Sequence, residues 1–230
     1  MHQTNRPQPP AADGFEIQWW CERLSSAEHC VLHSSNEERQ LRGLCVLPIA
    51  DRPGHIEYCV NVDRRWATTS AHIRYRSYGR DAAIDVAVRD AAWTIDGEHR
   101  ADVDGCLDID LGWTPSTNLL PIRRLGLAVG DSATIDTAWL RFPELTFERS
   151  TQTYTRTEPY AWRYQSGPYD FHIDVNEIGL VTRYGTDLWH AISPARRTLT
   201  PMPNSPPAPA RLGAADGRRA ALGTVLRCHG

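Results

Sequence analysis

The stretch Asp104–Leu125, DGCLDIDLGWTPSTNLLPIRRL, joins a strand pattern, a loop of special residues and a short helix pattern. Its first half alternates: Asp104, Cys106, Asp108 and Asp110 fall on one side of a strand, Leu107, Ile109 and Leu111 on the other. Carboxylates crowded on one strand face repel one another unless cations sit nearby, and Arg123 and Arg124 follow shortly. Between them come Gly112, Thr114, Pro115, Ser116, Thr117, Asn118 and Pro121. Two readings are open. The cluster is either a salt-bridge girder that fixes the loop, or a polar site of Asp and Arg in an apolar interior.

From Leu119 to Leu125 the pattern predicts a helix, with Asn118 as N-cap and Pro121 in the first turn, where a missing N–H is tolerated. Two turns do not stand alone in water, so this helix must pack inside or against a sheet. On either side the chain reads as strands. Phe15–Leu24, Ala27–Ser34, Leu41–Ile49, His55–Val62, Ala67–Tyr78, Asp81–Val88 and Ala91–Ile95 precede the central stretch. Ser132–Phe142, Leu145–Arg156, Tyr160–Gln165, Tyr169–Val175 and Gly179–Tyr184 follow it. Turn residues separate them: Asn36, Glu37 and Glu38; Asp51, Pro53 and Gly54; Asn176, Glu177 and Gly179. Asp96-Gly97 is a strong hairpin signal, and Gly43 inside the third run suggests a bulge. The expected organisation is a disordered lead over residues 1–14, one domain over 15–192, and a disordered Pro/Ala/Arg-rich tail over 193–230 with a helical segment at Arg218–Leu226.

A chain of 230 residues with 41% hydrophobic content buries a real core. Its net charge of −3 gives no basic field for nucleic acid or an anionic surface. All 25 basic side chains are arginine, which excludes lysine Schiff-base chemistry. No apolar run nears the ~20 residues of a membrane helix, and the first residues carry no secretory apolar region. The expectation is a cytoplasmic protein whose six cysteines, none in a CxxC pair, are reduced and mostly buried.

Motifs of nucleophilic, metal and nucleotide chemistry are absent: no G-x-S-x-G, H-E-x-x-H, P-loop or G-x-G-x-x-G occurs. The nine histidines are scattered singly, so no metal and no cofactor are expected. Asp108 and Asp110, as neighbours on one strand face, neither require nor forbid a glycosidase pair. The aromatic residues say more. Eight Trp and eight Tyr against four Phe give rings with polar handles. Tyr160, Trp162 and Tyr164 share one strand face, Tyr169 and Phe171 another, and Gln152 and Tyr154 a third. Such rings form an aromatic core or line a groove for an acyl chain or sugar.

The segment DIDLGWTPSTNLLPIRRLGLAVG resembles the signature of a bacterial family named for glycolipid binding and formerly catalogued only as a domain of unknown function. The similarity continues through AAWTIDGEH upstream and AWLRFPELTFERSTQTYTR, PYAWRY and FHIDVNEIGLVTRYGTDLW downstream, covering roughly Phe15 to Trp189. The resemblance implies a mainly β fold, a spiral β-roll in which a many-stranded antiparallel sheet wraps around a single helix. It also implies a glycolipid or related amphiphile as ligand, and no assigned catalytic residue. Trp113 and Ser116 stand where smaller residues are common in that pattern.

Together these lead to one expectation and two alternatives. The expectation is non-enzymatic binding of an amphiphilic small molecule, with no nucleic acid and protein partners undetermined. Arg123 and Arg124 engage an anionic head group; Asp108 and Asp110 hold those arginines or sugar hydroxyls; Asn118 shapes the loop; Tyr154, Tyr160, Trp162 and Tyr164 form an aromatic wall. The alternatives are an enzyme using the Asp/Arg cluster on a hydrophobic substrate, and a structural or interaction module with a solid core.

Overall fold

The computed structural model describes residues 13–199 apart from 36, 37 and 187. The calls on residues 1–12, on the turn residues Asn36 and Glu37, and on the tail from residue 200, with the Arg218–Leu226 helix, lie outside the described residues.

The chain begins with β1 (Asp13–Cys21), β2 (Ser26–Ser34), β3 (Arg39–Ile49), β4 (Arg52–Val62) and β5 (Thr68–Ser77). It continues with β6 (Arg80–Arg89), β7 (Ala92–Ile95) and β8 (Glu98–His99). A 3-10 turn at Ala101–Val103 leads to β9 (Asp108–Leu111). A second at Ser116–Asn118 runs into α1 (Leu119–Leu125). The rest is β10 (Ser132–Leu140), β11 (Phe147–Glu158), β12 (Ala161–Ser166), β13 (Tyr169–Val175), β14 (Val181–Tyr184) and β15 (Trp189–Leu199).

All fifteen strands form one mainly antiparallel sheet in the order β8-β7-β6-β5-β4-β3-β2-β1-β15-β14-β13-β12-β11-β10-β9. Two meanders, β1–β8 and β10–β15, are joined by the antiparallel β1–β15 pair. The only parallel pairing among the described strands is β9 on β10, with α1 in the crossover between them.

Register shows how the sheet curls. One face runs unbroken from Trp93 through Val88, Ile73, Tyr58, Gly43, Cys30 and Ile17. Across β15 it continues through Trp189, Tyr184, Ile173, Trp162 and Tyr164 to Tyr154, Gln152, Asp110 and Asp108. The opposite face is mostly solvated, except at the β9–β10 end. There Ile109, Leu111, Ala138 and Leu140 point the other way and are also buried, in the same cluster as Trp93, Ile95 and Val86. The end of the sheet therefore lies inside its own beginning, which is the geometry of a spiral roll. Thr68 of β5 stitches the two layers: its N–H donates to the Leu107 carbonyl (2.8 Å) and its hydroxyl accepts from Ile109 N–H (3.0 Å). That contact covers the edge of β9, and the other edge, β8, is two residues long; neither offers a template for strand addition.

The helix spans two packed regions. Leu119 and Leu120 join the large cluster, while Ile122 packs with Tyr154, Trp162, Tyr164, Ile173, Val175 and Val181. Gly126 ends it in the left-handed conformation (φ 56°).

Several expectations need correction. The alternation from Asp104 does not make a strand before Asp108, because the chain first turns at 101–103 and leaves Leu107 exposed. Asn118 occupies the N-cap position without a side-chain cap, because the 3-10 turn before it already runs into the helix. Gly43 makes no bulge, since β3 pairs continuously on both sides. The 192 boundary falls inside β15, whose pairing with β1 reaches Asp13–Leu199, so part of the supposed lead and tail are strand.

Candidate functional site

The nine residues singled out in the sequence fall into an interior network and a rim. The interior begins at Asp108, whose side chain is 1% exposed, facing Arg124 of α1 at 16%. Arg124 Nε donates to both carboxylate oxygens at 3.1 Å and Nη2 to Oδ2. Asp108 is nonetheless held above its ordinary pKa, because desolvation outweighs the arginine. Two residues on, Asp110 accepts from Gln152 Nε2 (2.6 Å) and Thr117 Oγ1 (3.5 Å), and desolvation lifts it to about 6. Tyr154 extends the chain: its hydroxyl lies 3.0 Å from Asn118 Oδ1 and 3.2 Å from Gln152 Oε1, to which it donates. Asn118 in turn donates from Nδ2 to the Pro115 carbonyl at 3.2 Å. Tyr164 packs edge-on against Tyr154, with centroids 5.3 Å apart, and tilts toward Tyr184. Six of the nine residues, Asp108, Asp110, Asn118, Arg124, Tyr154 and Tyr164, thus clamp α1 and its loop to β9, β11 and β12.

A second buried network, invisible in the sequence, holds the other side of that loop. Glu28 of β2 accepts from the Tyr58 hydroxyl and from Thr114 Oγ1 (2.8 Å) on the same oxygen. Tyr58 also pairs with Ser116 Oγ at 2.7 Å. Glu28 is fully enclosed, its Oε2 has no protein partner, and burial raises its carboxyl to about 8. Neither Glu28 nor Tyr58 stands in a recognisable motif. Only the strand register, which sets Glu28 against Cys45 and Gly43 against Tyr58, brings them to the loop.

The remaining three residues, Arg123, Tyr160 and Trp162, meet at a different place. They line a cavity of about 160 Å³ at the C-terminal end of α1, with Ile122, Leu127 and Val175 as apolar wall and Arg156, Asn176 and Glu177 as polar wall. Arg124 and Arg123 are neighbours, but the helix points them apart. Arg123 is exposed, lies 5.3 Å from the centre of the Trp66 ring, which Arg39 also approaches (4.8 Å), and has no carboxylate in ion-pair range among the described residues. Arg156 shapes the wall, with Nη1 donating to the Leu127 carbonyl (2.8 Å) and Nη2 to that of Pro159 (2.6 Å), its guanidinium 5.7 Å from the Trp162 ring. Asn176 sits in the turn that its sequence context predicts, where its carbonyl accepts from Gly179 N–H at 2.9 Å. Its Oδ1 does accept from Ile178 and Leu180 N–H, but its buried Nδ2 has no partner in the protein. A larger open depression, about 440 Å³, lies on the outer face among His29, Arg42, Glu57, His72 and Arg74, and none of the nine residues reaches it.

The fold and this division of residues define a helix-centred β-roll with a donor-rich rim cavity. The chain belongs to the family described as "Putative glycolipid-binding", whose model matches residues 16–190. Among solved structures it is similar to a crystal structure of a DUF1089 family protein from Pseudomonas aeruginosa. That likeness has 28% identity and a TM-score of 0.64, covering 74% of this chain and 94% of that one. No curated protein matches. No described helix is long and apolar enough to cross a membrane.

Proposed function

We propose that the protein binds an amphiphilic small molecule, a glycolipid, without altering it chemically, and that it grips the head group at the rim cavity. One observation carries this reading: an exposed arginine with no carboxylate in ion-pair range among the described residues lines a cavity with an aromatic and aliphatic wall. Ligand sites combine such walls with a few placed polar groups. Arg123 contacts the head group, the exposed Tyr160 ring stacks on the sugar, the buried Trp162 closes the floor beneath it, and Arg124 serves the interior clamp. The family's description points to the same ligand class. The carboxylates of the alternative, catalytic reading are occupied: Asp108 by Arg124, and Asp110 by Gln152 and Thr117.

A calorimetric titration with a short-chain, water-soluble anionic glycolipid tests this. The expected result is saturable one-to-one binding, weakened at least about tenfold (about 1.4 kcal/mol) in Arg123→Ala. Absence of saturable binding, or equal affinity in the variant, would overturn it.

A further inference from the structure

The outer face of the sheet carries an apolar patch at the first strands. Trp20 of β1 is 39% exposed there, and Leu44 and Val46 of β3 are 42% and 56% exposed. Register makes them contiguous: Trp20 pairs with Ala27, and Ala27 with Val46. Tyr78, Leu107 and Val129 are also exposed, but each stands singly in a connection. A contiguous exposed patch marks a contact surface, and tryptophan is a favoured anchor of such contacts. Both ends of the sheet are closed to strand addition, so a partner has to lie on the face.

The charges around the patch select no partner of one sign. Arg42 and Arg74 stand with Glu16 and Glu57 on outward positions, while Arg76 and His72 are held by Asp81 and Asp85 of β6. The face is instead complementary to itself. β3 is its middle strand, with β2 and β1 on one side and β4 and β5 on the other. A two-fold axis along β3, lying in the contact plane, lays β2 against β4 of a second copy and β1 against its β5. His29 and Glu57 flank Leu44, Ala27 and His55 flank Val46, and Val31 and Cys59 flank Arg42. The axis therefore sets His29 against the second copy's Glu57, Ala27 against its His55, and Val31 against its Cys59. One strand further out, Trp20 meets Arg76, Gln18 meets Arg74, and Glu16 meets His72. Imidazole faces carboxylate twice, guanidinium faces an indole and an amide, and off the axis no like charges oppose each other. On the axis Leu44 and Val46 meet their own copies. Arg42, at one end of the patch, is the single residue set against its like.

The area is sufficient. Five strands of at least nine residues, ~4.8 Å apart and rising ~3.4 Å per residue, give a face of about 24 by 30 Å. That is on the order of 700 Å² per copy, close to the roughly 800 Å² per partner of a standard interface. The open depression of about 440 Å³ among Arg42, Leu44, Glu57 and Arg74 gives room for the second copy's side chains.

We propose that the protein forms a symmetric dimer through the outer face of β1–β5, with the two-fold axis along β3. Each copy keeps its own cavity at the end of α1, because no residue lining that cavity lies on this face.

Sedimentation equilibrium of the full chain tests the proposal. The expected result is a mass that rises with concentration toward twice the 25.9 kDa of one chain. Leu44→Asp sets two carboxylates against each other on the axis and weakens the dimer at least about tenfold, with an unchanged circular dichroism spectrum. His29→Glu sets an acid against the second copy's Glu57 and also weakens it. Adding Glu57→Arg to His29→Glu restores the dimer, because each new acid then faces a guanidinium of the other copy. Tyr78→Asp, off the face, leaves association as in wild type. A single-chain mass at every concentration up to the solubility limit would overturn the dimer. Association that tolerates Leu44→Asp would overturn the assignment to this face. An unweakened His29→Glu variant, or one that Glu57→Arg does not rescue, would overturn the axis along β3.

Discussion

At the scale of single residues, adjacent arginines carry opposite burdens. Arg124 neutralises a carboxylate that is out of water, so Arg124→Ala strands Asp108 and is expected to cost about 3–5 kcal/mol in urea denaturation. Arg123→Ala removes only an exposed stack on Trp66 and is expected to cost less than about 1 kcal/mol. Equal costs would contradict the division between clamp and rim. Glu28 gives a pH test. Its folded carboxyl sits near 8 against an ordinary 4.5, so the folded state holds a proton that the unfolded chain has released. The stability due to the protonated form is full below about pH 4.5 and is lost as pH rises to about 8, a decline to which Asp110 adds at its lower end, up to about 6. Glu28→Gln preserves an oxygen for Tyr58 and Thr114 and removes the proton. Its melting temperature is expected to vary less between about pH 5 and pH 8.5 than that of wild type. A slope as steep as that of wild type would show that Glu28 is not the titrating group. The Asp/Arg clamp was legible in sequence because its partners share one short stretch. Glu28 was not, because its meaning depends on residues 30 and 86 positions away.

At the scale of elements, the helix was read to its limits, Leu119–Leu125, since Pro121 fixes its first turn and Gly126 its end. Most strands of the two meanders were also legible from period-two alternation, and Asp96-Gly97, both at positive φ, makes the two-residue hairpin that its sequence announces. Gly43 was misread for a specific reason. A glycine in a strand signals a bulge or a close approach, and only the neighbouring strand tells which. Here a Cβ would fall 2.2 Å from Tyr58 Cζ, so the glycine makes room for the ring that reaches Glu28. Gly43→Ala is expected to cost about 1–3 kcal/mol by overpacking, with Tyr58 displaced from Glu28. A variant as stable as wild type in urea would show that the ring has room to move.

At the scale of the whole molecule, the spiral rests on the β1–β15 pair, which joins the two meanders. The sequence hid β15 because its run contains Pro194 and two arginines, residues that look like a tail until β1 is beside them. Ending the chain after Ile192 removes the partners of Asp13 to Glu16 and of Gln18, and is expected to lower the melting temperature by at least about 5 °C. An unchanged melt would mean that the sheet closes without those pairs. The parallel β9–β10 pairing was equally hidden, because no local pattern specifies a crossover partner. Its consequence is the division of the site. With β9 buried on both faces, Asp108 and Asp110 serve the interior, and the residues of the proposed ligand site are left at the end of α1.

The central claim, that an amphiphile's head group sits at that end, is tested most directly by ¹H–¹⁵N NMR during titration with the short-chain glycolipid. Saturating shifts of the Trp162 indole, the Asn176 side-chain amide and the Arg123 backbone amide, with the Gln152 side-chain amide and the Leu44 backbone amide unmoved, are the predicted result. Shifts centred on Arg42, Leu44 and Arg74, or no saturating shift at all, would contradict it.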